Sequence, residues 1–350
     1  MSTVNRPRVR YSQVFVLVIL GALVFVMLKS LSAGFNALPG NFYQRKALVG
    51  GFNQLRYRLG DHVFPQVVVG KKGWLSFNSD GNLETYQNAL MLEYRLVTIH
   101  RRLALLERDL KARGITLVVV VAPNKETIYP DKAAPQLVKL EEKSRLDLLM
   151  AAEPAAMLDL RPALLEARRE RQIYYQTDTH WNAYGAYVAY REIMTRIAQD
   201  YPSLQPLELS DFEFSETAPI TLDIARLLGS DFLQEPAVAF QPNFESGAYM
   251  YRIPPTSNVS ISTSRRGEGM TLLVYHDSFG DALNEFLQYD FETVYYIRGA
   301  VSDKTFESAA WVKTAQPDVI VIEIVERNLV YLDNLLAKFL RGKDTLGLQP

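Results

Sequence analysis

Leu92, Leu96, Ile99, Leu103, Leu106 and Leu110 recur at alternating spacings of four and three, which puts one apolar stripe along a long helix. Gly114 supplies the stop. The period then changes. Ile115 to Ala122 is continuously apolar and closed by Pro123, the pattern of a strand covered on both faces. Met157 to Leu160 predicts a shorter strand, followed by a helix from about Pro162 to Arg171. Three more such units come late: Thr271 to Tyr275 with a helix after Gly280, Thr293 to Ile297 with a helix near Phe306 to Ala315, and Val319 to Val325 with a final helix. This alternation predicts an α/β three-layer domain with a mostly parallel sheet.

The same pattern breaks in three places. Val14 to Leu28 carries no charge, and with its flanks it is long enough to span a bilayer as one transmembrane helix. Arg6, Arg8 and Arg10 precede it without an acidic residue, so the positive-inside rule puts the N-terminus in the cytoplasm and the rest outside. A cleaved signal peptide, cut near Ser30, Ser32, Ala33 or Gly34, is the alternative. From Ala33 to about Asp80 the chain is rich in Gly, Asn and aromatic residues, as expected of a connector packing on the domain. Within it, Gly70 to Leu75 reads as a tight hairpin with Trp74 as a core residue. Residues 201–269 lose the helical period and read as an irregular insertion of short strands and loops. The expected organisation is thus a cytoplasmic N-terminus (1–12), a signal anchor (13–32), a connector (33–80) and the α/β domain (81–350).

Composition narrows the chemistry. A chain of 350 residues with 48% hydrophobic content buries a sizeable core. A net charge of −1 argues against a nucleic-acid partner. The absence of cysteine excludes disulfides and thiolate metal sites.

Two short motifs carry candidate chemistry. His276-Asp277-Ser278-Phe279 follows a predicted strand and precedes a predicted helix, a turn that exposes a hydroxyl beside free backbone N–H groups. Ligands of doubly wound sheets gather at such strand ends. A hydroxyl is a weak nucleophile and needs a base and an orienter. Of four histidines, His62 lies in the connector and His100 on the first long helix, where packing or solvated roles suffice. His180 and His276 remain as bases. Asp178-Thr179-His180-Trp181 sets a carboxylate two residues before an imidazole, although Asp178 can equally cap the helix that follows from Asn182.

Four elements together resemble the SGNH-hydrolase-like acetyltransferases of the alginate O-acetylation type, AlgJ and AlgX. They are Gly70-Lys71-Lys72-Gly73-Trp74-Leu75; Val118 to Pro123 with Lys125 and Tyr129-Pro130; Asp178 to Trp181 with Gly185; and His276 to Phe279 with Glu326-Arg327. The resemblance implies an SGNH-hydrolase-like fold without a cofactor. In it Ser278 is the acyl-accepting nucleophile, His180 the general base and Asp178 the orienter, with the Ser block last instead of first. It further implies acetyl transfer onto hydroxyls of an exported polysaccharide, an acetyl donor supplied by a membrane-bound O-acyltransferase partner, and a single-pass inner-membrane protein with its catalytic domain in the periplasm. His276 stands where the commoner motif has Gly, and the Gly and Asn that complete the oxyanion hole are not apparent, leaving the Ser278 N–H. Arg327, His276 and Trp181 are candidate substrate or oxyanion contacts, a surface ion pair being the alternative for Arg327. Competing readings are an esterase of the same Ser-His-Asp type, an inactive polysaccharide-binding scaffold, and a metal-dependent hydrolase built on Asp178, His180, His276 and Asp277.

Overall fold

The computed structural model describes residues 11–31, 45–89, 93–229, 231–252, 258–267, 269–299 and 308–341. Its contacts divide into two units, one of residues 1–61 with 228–230 and one of the remainder.

In the smaller unit, Tyr11–Leu31 and Arg45–Arg58 are helical. The described side chains of the first helix run from 16 to 30, and Val16, Leu17, Val18, Leu23 and Leu28 among them are exposed. Among the described residues no helix is long and apolar enough to cross a membrane. Residues 32–44, which include the first quarter of the expected connector, lie outside the described residues.

Among the described residues the larger unit holds eleven strands: β1 Val67–Val69, β2 Leu75–Phe77, β3 Thr116–Ala122, β4 Met157–Asp159, β5 Phe212–Glu216, β6 Val238–Pro242, β7 Tyr249–Arg252, β8 Val259–Thr263, β9 Thr271–His276, β10 Thr293–Arg298 and β11 Val319–Val325. Seven form one sheet in the order β4-β3-β11-β9-β10-β8-β7. The first five are mutually parallel; β8 and β7 add antiparallel at one edge. The expected α/β architecture with a mostly parallel sheet is therefore present, and of the short strands expected in residues 201–269, β7 and β8 extend the main sheet while β5 and β6 pair separately.

Period-two alternation explains the layers. Val118, Val120, Ala122, Leu272 and Val274 face a core built with the helix Ala183–Ala198 and the helix Gly280–Leu287. Leu117, Val119, Val121, Leu273 and Tyr275 face the opposite core, where Ile99, Leu103, Leu106 and Leu110 of the helix Glu93–Lys111 pack with Leu332 and Leu336 of the helix Leu329–Arg341. Strands buried on both faces need no polar alternation, and each fully buried Val or Leu contributes about 1.5–3 kcal/mol. The predicted stripe is the buried face of its helix, though Leu92 lies outside the described residues. The hairpin also forms, with Val69 opposite Leu75 and Lys72 at φ 55° in the turn. Trp74 is buried with its ring 4.5 Å from that of Tyr129.

The sheet order sets the working edge. The chain leaves β3 toward β4 on one side and β9 toward β10 on the other, with β11 between them. The carboxyl ends of β3, β11 and β9 thus lie side by side where the strand order reverses, the usual place for a ligand.

Candidate active site

Ser278 follows β9 on a turn pinned from below by carboxylates. Asp277 accepts the Phe279 N–H on Oδ1 (3.0 Å) and the Val325 N–H on Oδ2 (2.8 Å), tying the turn to the end of β11. Glu323, buried within β11, accepts the N–H groups of Asp277 and Gly280, each at 3.1 Å. Burial and then the charge of Asp277 push the Glu323 carboxyl well above the usual range. Gly280 allows the helix to start this close: a Cβ there would lie 2.4 Å from the His276 Cβ. Gly280→Ala is expected to destabilise the fold by about 1–3 kcal/mol through overpacking, read from the urea midpoint; an unchanged midpoint would show that the turn yields.

His180 arrives from the opposite side. Its preceding loop is held by Lys125, whose buried ammonium donates to the carbonyls of Tyr175 (3.2 Å), Gln176 (3.0 Å) and Asp178 (2.6 Å). Burial lowers its pKa against the pull of Glu126 and Asp178. Glu235 reinforces the loop by accepting the N–H groups of Gln176 (3.0 Å) and Thr177 (2.6 Å). The helix is capped by Asn182, whose Oδ1 accepts the Gly185 N–H at 3.2 Å. Capping by Asp178 is accordingly corrected: the true N-cap stands four residues later, which frees the Asp178 carboxylate.

That carboxylate is spent on His180. Asp178 Oδ1 lies 2.6 Å from His180 Nδ1 and accepts the His180 backbone N–H at 3.0 Å, while Oδ2 accepts the Asp223 N–H at 3.1 Å. Carboxylate oxygens only accept here, so Nδ1 carries the proton and Nε2 is the lone pair. His180 Nε2 lies 2.8 Å from Ser278 Oγ. The structure thus brings Ser278, His180 and Asp178 into one hydrogen-bonded chain. Burial raises the Asp178 pKa, but the bonds and charge of His180 outweigh it and bring it down to about 2.

The other predicted residues fall elsewhere. Trp181 is buried and its indole N–H donates to the Phe279 carbonyl at 3.1 Å, so it ties the His element to the Ser element and has no donor left for a ligand. His276 turns away from Ser278: its Nδ1 donates to the Asp277 carbonyl at 2.7 Å and its ring lines a neighbouring cavity. Arg327 lies with its guanidinium 5.8 Å from the Phe77 ring and 5.6 Å from the Phe279 ring. Among the described residues no carboxylate pairs with it, so the surface ion pair is not formed. The proposed metal set of Asp178, His180, His276 and Asp277 is not assembled either, since the Asp277 oxygens serve backbone N–H groups. The group that does converge is Asp178, His180 and Asp223. His62 and His100 bond the carbonyls of Val69 and Leu149.

Asp223 and Glu323 were not legible as site residues. Asp223 comes from the irregular segment and accepts the Thr179 N–H (2.9 Å) and hydroxyl (2.8 Å), with Oδ2 3.8 Å from His180 Nδ1. Burial, then the charge of Asp178, raises its pKa. Glu323 hides in an apolar run. Its one sequence signal is a lone acid inside Val319 to Val325.

A cleft of about 270 Å³ opens over Ser278 and His180, walled by Tyr175, Val238, Asp281 and Glu285. It adjoins one cavity through Tyr175 and Val238 and another through Asp281 and Glu285. Among the described residues the Ser278 N–H donates to no protein acceptor, as an oxyanion donor requires.

The model of a family described as the SGNH hydrolase-like domain of the acetyltransferase AlgX matches residues 67–245, which include Asp178 and His180 and stop short of Ser278. A probable alginate O-acetylase AlgJ from Pseudomonas fluorescens is 29% identical over 193 residues, 52% of this chain and 46% of that protein. Its counterpart in Pseudomonas aeruginosa is 31% identical over 135 residues, 38% of this chain and 33% of that protein. The chain thus spans less than half the length of these curated relatives. PatB1 of Bacillus cereus, solved with a sulfonyl adduct, aligns with a TM-score of 0.60 at 13% identity, over 76% of this chain and 96% of that one, a likeness of fold.

Proposed function

Since the chain belongs to the family of SGNH hydrolase-like AlgX acetyltransferase domains, we propose that it is a polysaccharide O-acetyltransferase working through an acetyl-serine. One observation carries this reading: the unbroken line from Asp178 through His180 to Ser278 Oγ, with bonds of 2.6 and 2.8 Å. As Ser278 Oγ attacks the carbonyl carbon of an acetyl ester, His180 Nε2 takes the hydroxyl proton. The tetrahedral intermediate is held at the Ser278 N–H. It collapses by breaking the bond to the donor oxygen, which leaves with that proton. A sugar hydroxyl then gives its proton to Nε2, attacks the acetyl-serine and expels Ser278 Oγ, which His180 reprotonates. Asp178 stabilises the imidazolium and stays ionised throughout. Arg327, held over the Phe279 ring and without an acidic partner among the described residues, is placed to meet anionic substrate groups.

Cavities on two sides of the cleft suit a polymeric acceptor, and the names of the curated relatives make alginate the first one to try. The uncharged run Val14 to Leu28 behind Arg6, Arg8 and Arg10 supports an inner-membrane anchor with the site in the periplasm, where a membrane-bound O-acyltransferase would deliver the acetyl group.

Incubating the protein with an activated acetyl ester and measuring intact mass tests the chemistry. The parent should gain one acetyl group, mapped to Ser278, and His180→Ala should gain none after quenching at early times. Equal labelling of both would remove His180 as the base. Release of label faster to an added oligosaccharide than to water separates transferase from esterase.

A further inference from the structure

The helix Arg45–Arg58 of the smaller unit carries an apolar face that no catalytic step uses. Leu48, Phe52, Leu55 and Leu59 follow one another at spacings of four, three and four. The Leu59 N–H still donates to the Leu55 carbonyl at 2.9 Å, so all four share one helical stripe. The stripe is open: Leu48 is 44% exposed, Phe52 61%, Leu55 55% and Leu59 77%. The opposite side of the helix is the packed one. Gly50 lies so close to Gly229 that a Cβ would stand 2.4 Å from its carbonyl oxygen, and Asn53 Nδ2 donates to the Leu228 carbonyl at 2.9 Å. These two contacts fix the roll of the helix within its unit and leave the stripe facing outward. A contiguous apolar surface of this kind marks an interaction site.

The charges identify the partner. The helix holds Arg45, Lys46, Arg56 and Arg58 and no acidic residue. Arg56 pairs with Asp61 at 2.6 Å; among the described residues no carboxylate pairs with Arg45, Lys46 or Arg58. The helical period sets Arg45 and Arg56 along one border of the stripe and Arg58 along the other. Leucines and a phenylalanine bordered by cations suit a helix lying in a bilayer interface, with its apolar face among the acyl chains and its cations at the headgroups. A second copy of the helix seated on the stripe would instead bring like charges together. The position in the chain agrees, because the helix follows closely on the uncharged run Val14 to Leu28.

We propose that the helix Arg45–Arg58 lies along the membrane surface, with Leu48, Phe52, Leu55 and Leu59 in the acyl layer and Arg45, Lys46 and Arg58 on anionic phospholipid headgroups. This contact rests on the membrane-anchor reading, since that run is what brings the helix to the bilayer. The chain is then held twice, once by the span and once by a helix laid flat beside it.

The chain has no cysteine, so a single introduced one takes a fluorescent label uniquely. Gly51→Cys borders the stripe without removing any of it, and a Cβ there meets no heavy atom within 4 Å. The full chain, labelled with the fluorophore NBD and held in nanodiscs, is compared in mixed phosphatidylglycerol and phosphatidylcholine and in phosphatidylcholine alone. Lipids bearing a nitroxide should quench the label by about twofold or more in the mixture and less in phosphatidylcholine alone, with matching protection from aqueous acrylamide. Phe52→Glu with Leu55→Glu should abolish both effects while the circular dichroism stays that of the parent. Arg45→Gln with Lys46→Gln should erase the difference between the two lipids. Equal quenching of the parent in both lipids overturns the headgroup contact. A label open to acrylamide and untouched by the nitroxide overturns the surface helix. So does protection from acrylamide without nitroxide quenching, which would mean that protein, such as a second copy, covers the stripe. The same label at Val18→Cys reads the anchor separately. Nitroxide contact at position 18 and none at 51 keeps the anchor and sinks the surface helix, whereas contact at 51 alone upholds the surface helix and removes the anchor.

Discussion

Ser278→Ala is expected to lower acetyl transfer by about 10⁴- to 10⁶-fold, the scale on which removing a nucleophile acts when its partners work as a unit. The substitution deletes the atom that forms the acyl bond and little else. The turn is held by backbone N–H groups on Asp277 and Glu323, and among the described residues Ser278 Oγ bonds only His180. Folding should therefore survive, with the denaturation midpoint near that of the parent. Residual activity should come from binding and the oxyanion donor alone. The check is acetyl transfer to oligosaccharide followed by mass spectrometry, alongside circular dichroism. A rate within tenfold of the parent would mean that acetyl passes through another group, and the covalent mechanism would be abandoned.

Asp178→Asn should cost about 10⁴-fold in turnover, because an amide no longer holds the proton on Nδ1 or stabilises the imidazolium. Asp223 is a useful contrast. Its oxygens serve Thr179, and the nearer one stands 3.8 Å from His180 Nδ1. Asp223→Asn should therefore lose far less, and equal losses would make the two carboxylates a functional pair. Asp178 also links the site to acid stability. Its folded pKa of about 2 lies below the ordinary 3.8, so its ionised form is favoured by folding. That contribution is fully present above about pH 4 and is lost as pH falls toward about 2, roughly 2 kcal/mol in all. The raised pKa of Asp223 works in the opposite sense. The stability gap between parent and Asp178→Asn, measured by urea at successive pH values, should shrink across that window. A gap that stays constant down to pH 2 would show that the carboxylate is not held as described.

Periodicity located the framework well because its causes are local. Ile115 to Ala122 and Val319 to Val325 are apolar except at Thr116 and Glu323, and both lie inside the sheet with helices on both faces. The segment 201–269 resisted reading for the opposite reason. Its strands are short, and β7 and β8 join the main sheet only through pairing with β10, a partner distant in sequence. Trp181 shows the same limit at one side chain: an aromatic beside a candidate base suggests a ligand contact, and its actual partner is a carbonyl 98 residues away.

What the sequence by itself determined was the layered α/β framework, the two motifs with a hydroxyl at one and an imidazole with its carboxylate at the other, and the family resemblance. Each depends on neighbours a few positions apart, where side-chain period and turn chemistry act. Tertiary structure alone decided that Asp223 would stand beside Asp178 and that Glu323 would carry the nucleophile turn from inside a strand. Those arrangements follow from crossovers that bring distant segments to one sheet edge, and burial then sets which polar atoms must find partners within the protein.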